Sequence, residues 1–222
     1  MRLLLINPNT TASMTAAIEA SAAAVAGSGT VVEATNPTVG PASIENDDDE
    51  LRCIPGLLDQ AGIALARPAR ERPDAYVVAC FGDPGLEELR DLVDVPVLGI
   101  AQAAMHAAAL AAGSFSVVTS MSATVPRGWE LAKAYTPNQC LGVYACDIPV
   151  LSIDSDPGTI GPIGDRCEAA LKSDDSKAIV LGCAAMAKFA GPLTRRLGVP
   201  VIDGVVAATL LAEALVGLNR LS

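Results

Sequence analysis

Short apolar runs recur along this chain, each ended by a polar or small residue. Between them lie stretches in which apolar side chains return every three or four positions. The first pattern predicts buried strands and the second predicts helices with one face packed. RLLLI is a first strand, stopped by Asn7-Pro8. A helix follows, with Thr10 or Thr11 as its cap and Gly27 as its end. The pattern then gives a strand over 30–34, an irregular loop over 35–49, a helix over 50–66, a strand over 75–79, a short helix over 86–92, a strand over 96–100 and a helix over 102–112. Gly113 breaks the chain, and FSVVTS begins a second round. That round has a helix near 125–134, a strand near 141–144, a helix near 159–171, a strand over 178–181, a helix over 184–197, a strand over 199–202 and a closing helix.

Strands joined through helices form parallel sheets. The expected fold class is therefore α/β, with two pseudo-symmetric parallel-sheet, flavodoxin-like halves and a cleft between them. One lobe is expected to hold residues 1–98 together with 207–222, and the other residues 99–206. Ligands of open α/β sheets bind beyond the carboxyl ends of the strands. Asn7, Cys80, Thr119 and Cys183 all fall at such ends.

The rounds share more than their pattern. YVVAC and AIVLGC each end an apolar run on a cysteine and each open a helical stretch. Pro96 of a Val-Pro-Val segment lies 16 residues after Cys80, and Pro200 of another lies 17 after Cys183. Each copy thus offers one thiol at an equivalent place. Small or flexible neighbours flank them, Phe81-Gly82 in one copy and Ala184-Ala185 in the other. Free N–H groups in the first turn of a following helix would favour a thiolate and could hold a developing oxyanion. An isolated cysteine is usually a small core residue, and Cys53, Cys140, Cys146 and Cys167 are read that way.

Two readings stand for INPNTT. It can be only a strand end and a helix cap, or Asn7, Pro8 and Asn9 can orient a substrate; Thr119 and Ser120 carry the same pair of readings. His106 is taken as a satisfied helix histidine, Asp47 to Asp49 as a solvated loop, Asp83 as a helix cap ahead of Pro84, and Asp203 as a second cap.

Composition narrows the chemistry. The 222 residues are 51% apolar, enough for a core, and the net charge of −10 argues against nucleic acid and anionic membrane surfaces. The longest apolar region is interrupted by Pro96, Gln102 and His106, and the N-terminal run is too short for a signal peptide. A cytoplasmic protein with reduced cysteines is expected. No Cys-x-x-Cys pair occurs and His106 is the one histidine, so no metal site is expected; four lysines, none at a strand end, give no place for pyridoxal phosphate. Phosphate-binding and dinucleotide glycine motifs are missing as well. The expectation is an enzyme without a cofactor acting on a small molecule.

INPNTTASMT, ACFGDPG, VLGIAQAAMHAA, FSVVTS and LGCAAM followed by GVPVIDGVVAA together resemble the aspartate/glutamate/hydantoin racemase superfamily, and within it the hydantoin and allantoin racemases. The resemblance spans nearly the whole chain. It implies two similar α/β halves around the active site, catalytic thiols at Cys80 and Cys183, no cofactor and a homo-oligomer. The superfamily's amino-acid racemases typically carry C-N-T at the first cysteine and Thr-His after the second, where this chain has Phe81-Gly82 and Ala184-Ala185. Many hydantoin racemases carry glutamate at the place of Gln102 and glycine at that of Ala185. The expected substrate is a neutral ring, a 5-substituted hydantoin or allantoin, with Asn7, Pro8, Asn9, Phe81, Gly82, Thr119, Ser120 and Ala184 around it. The competing readings are an aspartate/glutamate-type racemase, a cysteine-dependent decarboxylase or isomerase, and a two-lobed binding module.

Overall fold

The computed structural model describes residues 1–219; the last three positions of the expected first lobe, 220–222, lie outside the described residues. Strands β1 (Arg2–Ile6), β2 (Val31–Thr35), β3 (Ala75–Val78) and β4 (Val97–Gly99) form one parallel sheet in the order β2-β1-β3-β4. Strands β5 (Phe115–Thr119), β6 (Cys140–Ala145), β7 (Ile179–Gly182) and β8 (Val201–Asp203) form a second in the order β6-β5-β7-β8. The two orders match strand for strand. β3 and β5 are buried at every position because parallel strands are covered on both faces, which is why β3 reads as an unbroken apolar run; Ser116 within β5 is paired with the Asp174 carboxylate.

Helices α1 (Ala12–Ala23), α2 (Asp47–Leu65), α3 (Leu86–Leu92) and α4 (Ile100–Ala112) belong to the first round of the chain. Helices α5 (Val125–Tyr135), α6 (Val150–Ser155), α7 (Ile160–Asp174), α8 (Ala190–Leu197) and α9 (Gly204–Asn219) belong to the second. Two helices cross over. α4 follows the first sheet but puts Ala101, Ala104, Met105 and Ala108 against Phe115, Val117 and Val180 of the second. α9 follows the second sheet but puts Val205, Ala208, Ala212 and Val216 against Leu3, Leu5 and Val77 of the first. The alanine content makes this possible, since small side chains let α4 and α9 approach. At Gly204 even a Cβ would lie 2.6 Å from the Ile100 carbonyl oxygen.

The sequence pattern and the structure differ in five places. α1 ends at Ala23, short of Gly27, and Thr11 stands at its start without a side-chain cap, its hydroxyl donating instead to the Ala42 carbonyl at 2.7 Å. Asp47, Asp48, Asp49 and Glu50 form the first turn of α2, not a solvated loop, with Asn46 as the cap accepting from the Asp49 N–H at 3.0 Å. Four carboxylates there offset the positive end of the helix dipole. After Cys183 the chain makes a 3₁₀ turn over Ala184–Phe189 before α8 begins at Ala190. The short helix α6 was not anticipated. Asp83, in the left-handed region at φ 48°, does cap a helix, but that helix is α4: its carboxylate accepts from Ala101 N–H at 3.0 Å and Gln102 N–H at 2.9 Å. Asp203 caps α9 through Val205 and Val206 N–H at 3.1 and 3.0 Å. No helix among the described residues is long and apolar enough to cross a membrane.

Candidate active site

Cys80 stands two residues beyond β3, and Cys183 follows β7 directly; β3 and β7 hold the same place in the two sheets. Both thiols border a single cavity of about 40 Å³. Residues of both lobes line it, so it lies between them. Asn9, Phe81, Gly82, Thr119, Ser120 and Ala184 border the same cavity. Asn7 and Pro8 do not line it; both are buried behind it.

Asn7 is consumed by its own turn. Its amide donates to Asn9 Oδ1 at 2.9 Å and Thr15 Oγ1 at 3.0 Å. Asn9 Oδ1 also accepts from the Thr11 N–H at 2.9 Å, so the Asn9 carbonyl is occupied while its NH₂ meets only the Met14 sulfur at 3.5 Å. A thioether is a weak acceptor. Asn9 therefore keeps a donor for a ligand in the cavity. Thr119 holds the frame: its hydroxyl pairs with Thr124 at 2.8 Å and with the carbonyl of Gly182, the residue before Cys183, at 3.1 Å. The Ser120 hydroxyl has no protein partner among the described residues. His106 binds the Gln102 carbonyl at 2.7 Å within α4, and the Gln102 side chain accepts from Arg90 at 2.8 Å; neither borders the cavity. Ala185 packs with Met14, Met186 and Phe189.

Burial decides the state of the thiols. It pushes Cys183 up to about 12, against the opposing pull of the Ala185 and Met186 N–H groups. It pushes Cys80 well above the ordinary thiol value, helped by the charges of Cys53, Glu50 and Cys183 and opposed by the Gly82 N–H. The sequence led us to expect thiols lowered at helix starts. Loss of water outweighs the N–H groups, and the element after Cys183 is a 3₁₀ turn whose few aligned peptides make a small dipole.

Two charged residues escaped the sequence reading. Glu50, with its side chain 14% exposed, borders the cavity, and Arg127 of α5 reaches it from the other lobe with Nε 3.4 Å from Oε2. Arg127 also donates through Nε and Nη2 to the Gly82 carbonyl at 3.1 and 2.9 Å. Burial raises the Glu50 pKa and Arg127 pulls it back. A signal for Glu50 was present: it lies on the helical stripe of Cys53, Leu57, Ala61 and Ala64, the buried face of α2. Arg127 gave no comparable sign.

A two-lobed α/β frame with paired sheets is the architecture of a class of racemases, and comparison with known proteins places the chain within it. The Asp/Glu/Hydantoin racemase family matches residues 3–212, and the chain belongs to that family. A hydantoin racemase of Rhizobium meliloti is 43% identical over 219 residues, covering 98% of this chain and 89% of the relative. A hydantoin racemase of Pseudomonas sp. (strain NS671) is 40% identical over 222 residues, covering 99% and 88%. Among solved structures, allantoin racemase from Klebsiella pneumoniae superposes with a TM-score of 0.93 at 44% identity, covering 99% of this chain and 89% of that one.

Proposed function

We propose that this protein interconverts the enantiomers of 5-substituted hydantoins, allantoin among them, by 1,1-proton transfer between Cys80 and Cys183. The observation that carries the reading is that both thiols border one cavity whose charged lining is a carboxylate and an arginine already engaged. A substrate carboxylate would meet no free cation in this lining. Here Arg127, the one cation lining the cavity among the described residues, is spent on Glu50, Glu130 and the Gly82 carbonyl. A neutral ring suits this lining. A single-thiol decarboxylase would leave the second cysteine without a task.

In the proposed step one sulfur, as thiolate, takes the C5 proton. The C–H electron pair moves into the ring as an enolate, and the opposite thiol gives its proton to the other face of C5. The sulfurs end with exchanged protonation, and the reverse enantiomer uses them in the opposite order. The Asn9 N–H is available to a ring carbonyl as negative charge grows on it. A buried thiolate is a strong base, which suits a weak carbon acid. Its scarcity at neutral pH is the cost. Nothing in the step calls for a cofactor. The reading includes a cytoplasmic homo-oligomer, for which Leu110, Leu210 and Leu218, at 85%, 47% and 60% exposure on α4 and α9, supply apolar surface.

Proton NMR in D₂O tests the proposal, with enantiopure allantoin and a panel of 5-alkyl and 5-aryl hydantoins. Loss of the C5 proton signal should accompany loss of optical rotation. Exchange with none of these compounds would sink the assignment.

A further inference from the structure

A second cavity, about 400 Å³, adjoins the thiol cavity, and Glu50 and Arg127 border both. Its wall is acidic, with Asp47, Glu87, Glu88 and Glu130 joining Glu50 there. Glu50 and Arg127 are thus the charged groups met by anything that extends from between the thiols into the larger space. Its place is fixed by Gly82, two residues from Cys80: a Cβ there would fall 2.0 Å from Glu50 Oε1, so only glycine lets the carboxylate lie against that backbone.

The carboxylate is poorly served by the protein. A carboxylate accepts about four hydrogen bonds, yet Arg127 Nε at 3.4 Å is the one donor group near it among the described residues, and the rest of that guanidinium faces Gly82 and Glu130. Neither oxygen is sealed from the two cavities, so the unused acceptor sites are open to a ligand with N–H donors. Burial also raises its pKa.

We propose, resting on the hydantoin racemase reading, that Glu50 is a specificity-determining residue that accepts N–H donors from the 5-substituent and so selects a ureido arm over an alkyl arm. A ureido group presents two parallel N–H bonds on its two nitrogens. They match the two oxygens of a carboxylate in the way a guanidinium does. An alkyl arm of the same size displaces water from Glu50 and offers it no donor, and a carboxylate arm is repelled. Arg127 is a positioning residue here, holding Glu50 and the Cys80 loop together.

The test compares allantoin with 5-isobutylhydantoin, whose arm has the same number of heavy atoms and the same branching but no donors. Wild-type kcat/KM should favour allantoin by about tenfold or more, and Glu50→Gln should remove most of that preference through a raised KM for allantoin. The ratio is taken within one preparation, so a partly folded variant lowers both rates and leaves it unchanged. An unchanged ratio, or an equal loss on both compounds, overturns the inference. Calorimetry in a Cys80→Ser/Cys183→Ser background separates the inference from the reading beneath it. If the wild type racemises neither compound, the racemase reading falls, while tighter allantoin binding that depends on Glu50 still upholds the inference. Binding without that preference overturns it.

Discussion

Cys80 stands beside a carboxylate, whereas Cys183 stands among apolar side chains and backbone N–H groups. Both end the same repeated unit and border the same cavity, and burial raises both. Beyond burial, Cys80 feels the charges of Cys53 and Glu50, with the Gly82 N–H against them. Cys183 packs with Met14, Met186 and Phe189, and beyond burial the Ala185 N–H pulls it down while Cys146 and Glu45 push it up. Duplication supplies matched positions, and the flanking residues then surround the two sulfurs with different groups. Burial favours the protonated form of both.

The largest expected effect removes one side of the pair. Cys80→Ser and Cys183→Ser should each abolish racemisation, a loss of about 10³-fold or more, since a serine hydroxyl is a poor substitute for either role. The comparison sharpens this: each variant should keep slow C5 proton exchange in D₂O with one enantiomer, and the two variants should keep opposite ones. Either variant racemising at wild-type rate would break the two-thiol scheme. The next effect is on pH. Both thiols lie above the neutral range, Cys183 at about 12, so the thiolate fraction grows as pH rises toward that value. Wild-type kcat/KM should climb about tenfold per unit between pH 6 and 9. A flat profile there would mean that one sulfur is already ionised.

Gly82→Ala displaces the carboxylate. The added Cβ would lie 2.0 Å from Glu50 Oε1 and 2.5 Å from its Cδ, so the side chain must swing away. We expect allantoin kcat/KM to fall about tenfold as the acceptor is lost. Removing the charge should also lower the pH midpoint for iodoacetamide labelling of Cys80. Lower activity with an unmoved Cys80 midpoint would show that the Glu50 charge does not act on that sulfur.

The frame and the paired cysteines were legible because parallel strands are buried on both faces and the duplicated unit repeats its punctuation. β3 and β7 read as unbroken apolar runs, and Cys80 and Cys183 follow these equivalent strands. What was hidden depends on contacts distant in sequence. Asp47 to Asp49 look solvated until α2 supplies a dipole for them to offset. α6 leans on a distant partner, the Glu45 carboxylate, which takes the Val150 N–H at 2.9 Å across 105 positions. Glu50 and Arg127 meet only because the lobes do. The polar Asn7 suggested a ligand contact, but its amide satisfies its own turn.

The smallest expected effect concerns how each lobe passes from its last strand into a helix, β4 into α4 and β8 into α9. In the second lobe Asp203 caps its own helix. In the first, Gly99 stands at the strand end and Asp83 supplies the carboxylate from the Cys80 loop; a Cβ on Gly99 would fall 2.1 Å from Asp83 Cγ. Gly99→Ala should therefore expel the cap, leave the Ala101 and Gln102 N–H groups unpaired, and cost about 1–2 kcal/mol in urea unfolding. The double variant Asp83→Ala/Gly99→Asp rebuilds the second lobe's arrangement and should recover most of that loss. Burial pushes Asp83 up to about 7, above an unfolded value of about 3.9. Folding then takes up a proton, so the stability this group confers is fullest below about pH 4 and is lost as pH rises through 7. Asp83→Ala should flatten that slope. A double variant no more stable than Gly99→Ala would show that the two positions do not share one cap, and that the lobes differ here by more than the origin of a carboxylate.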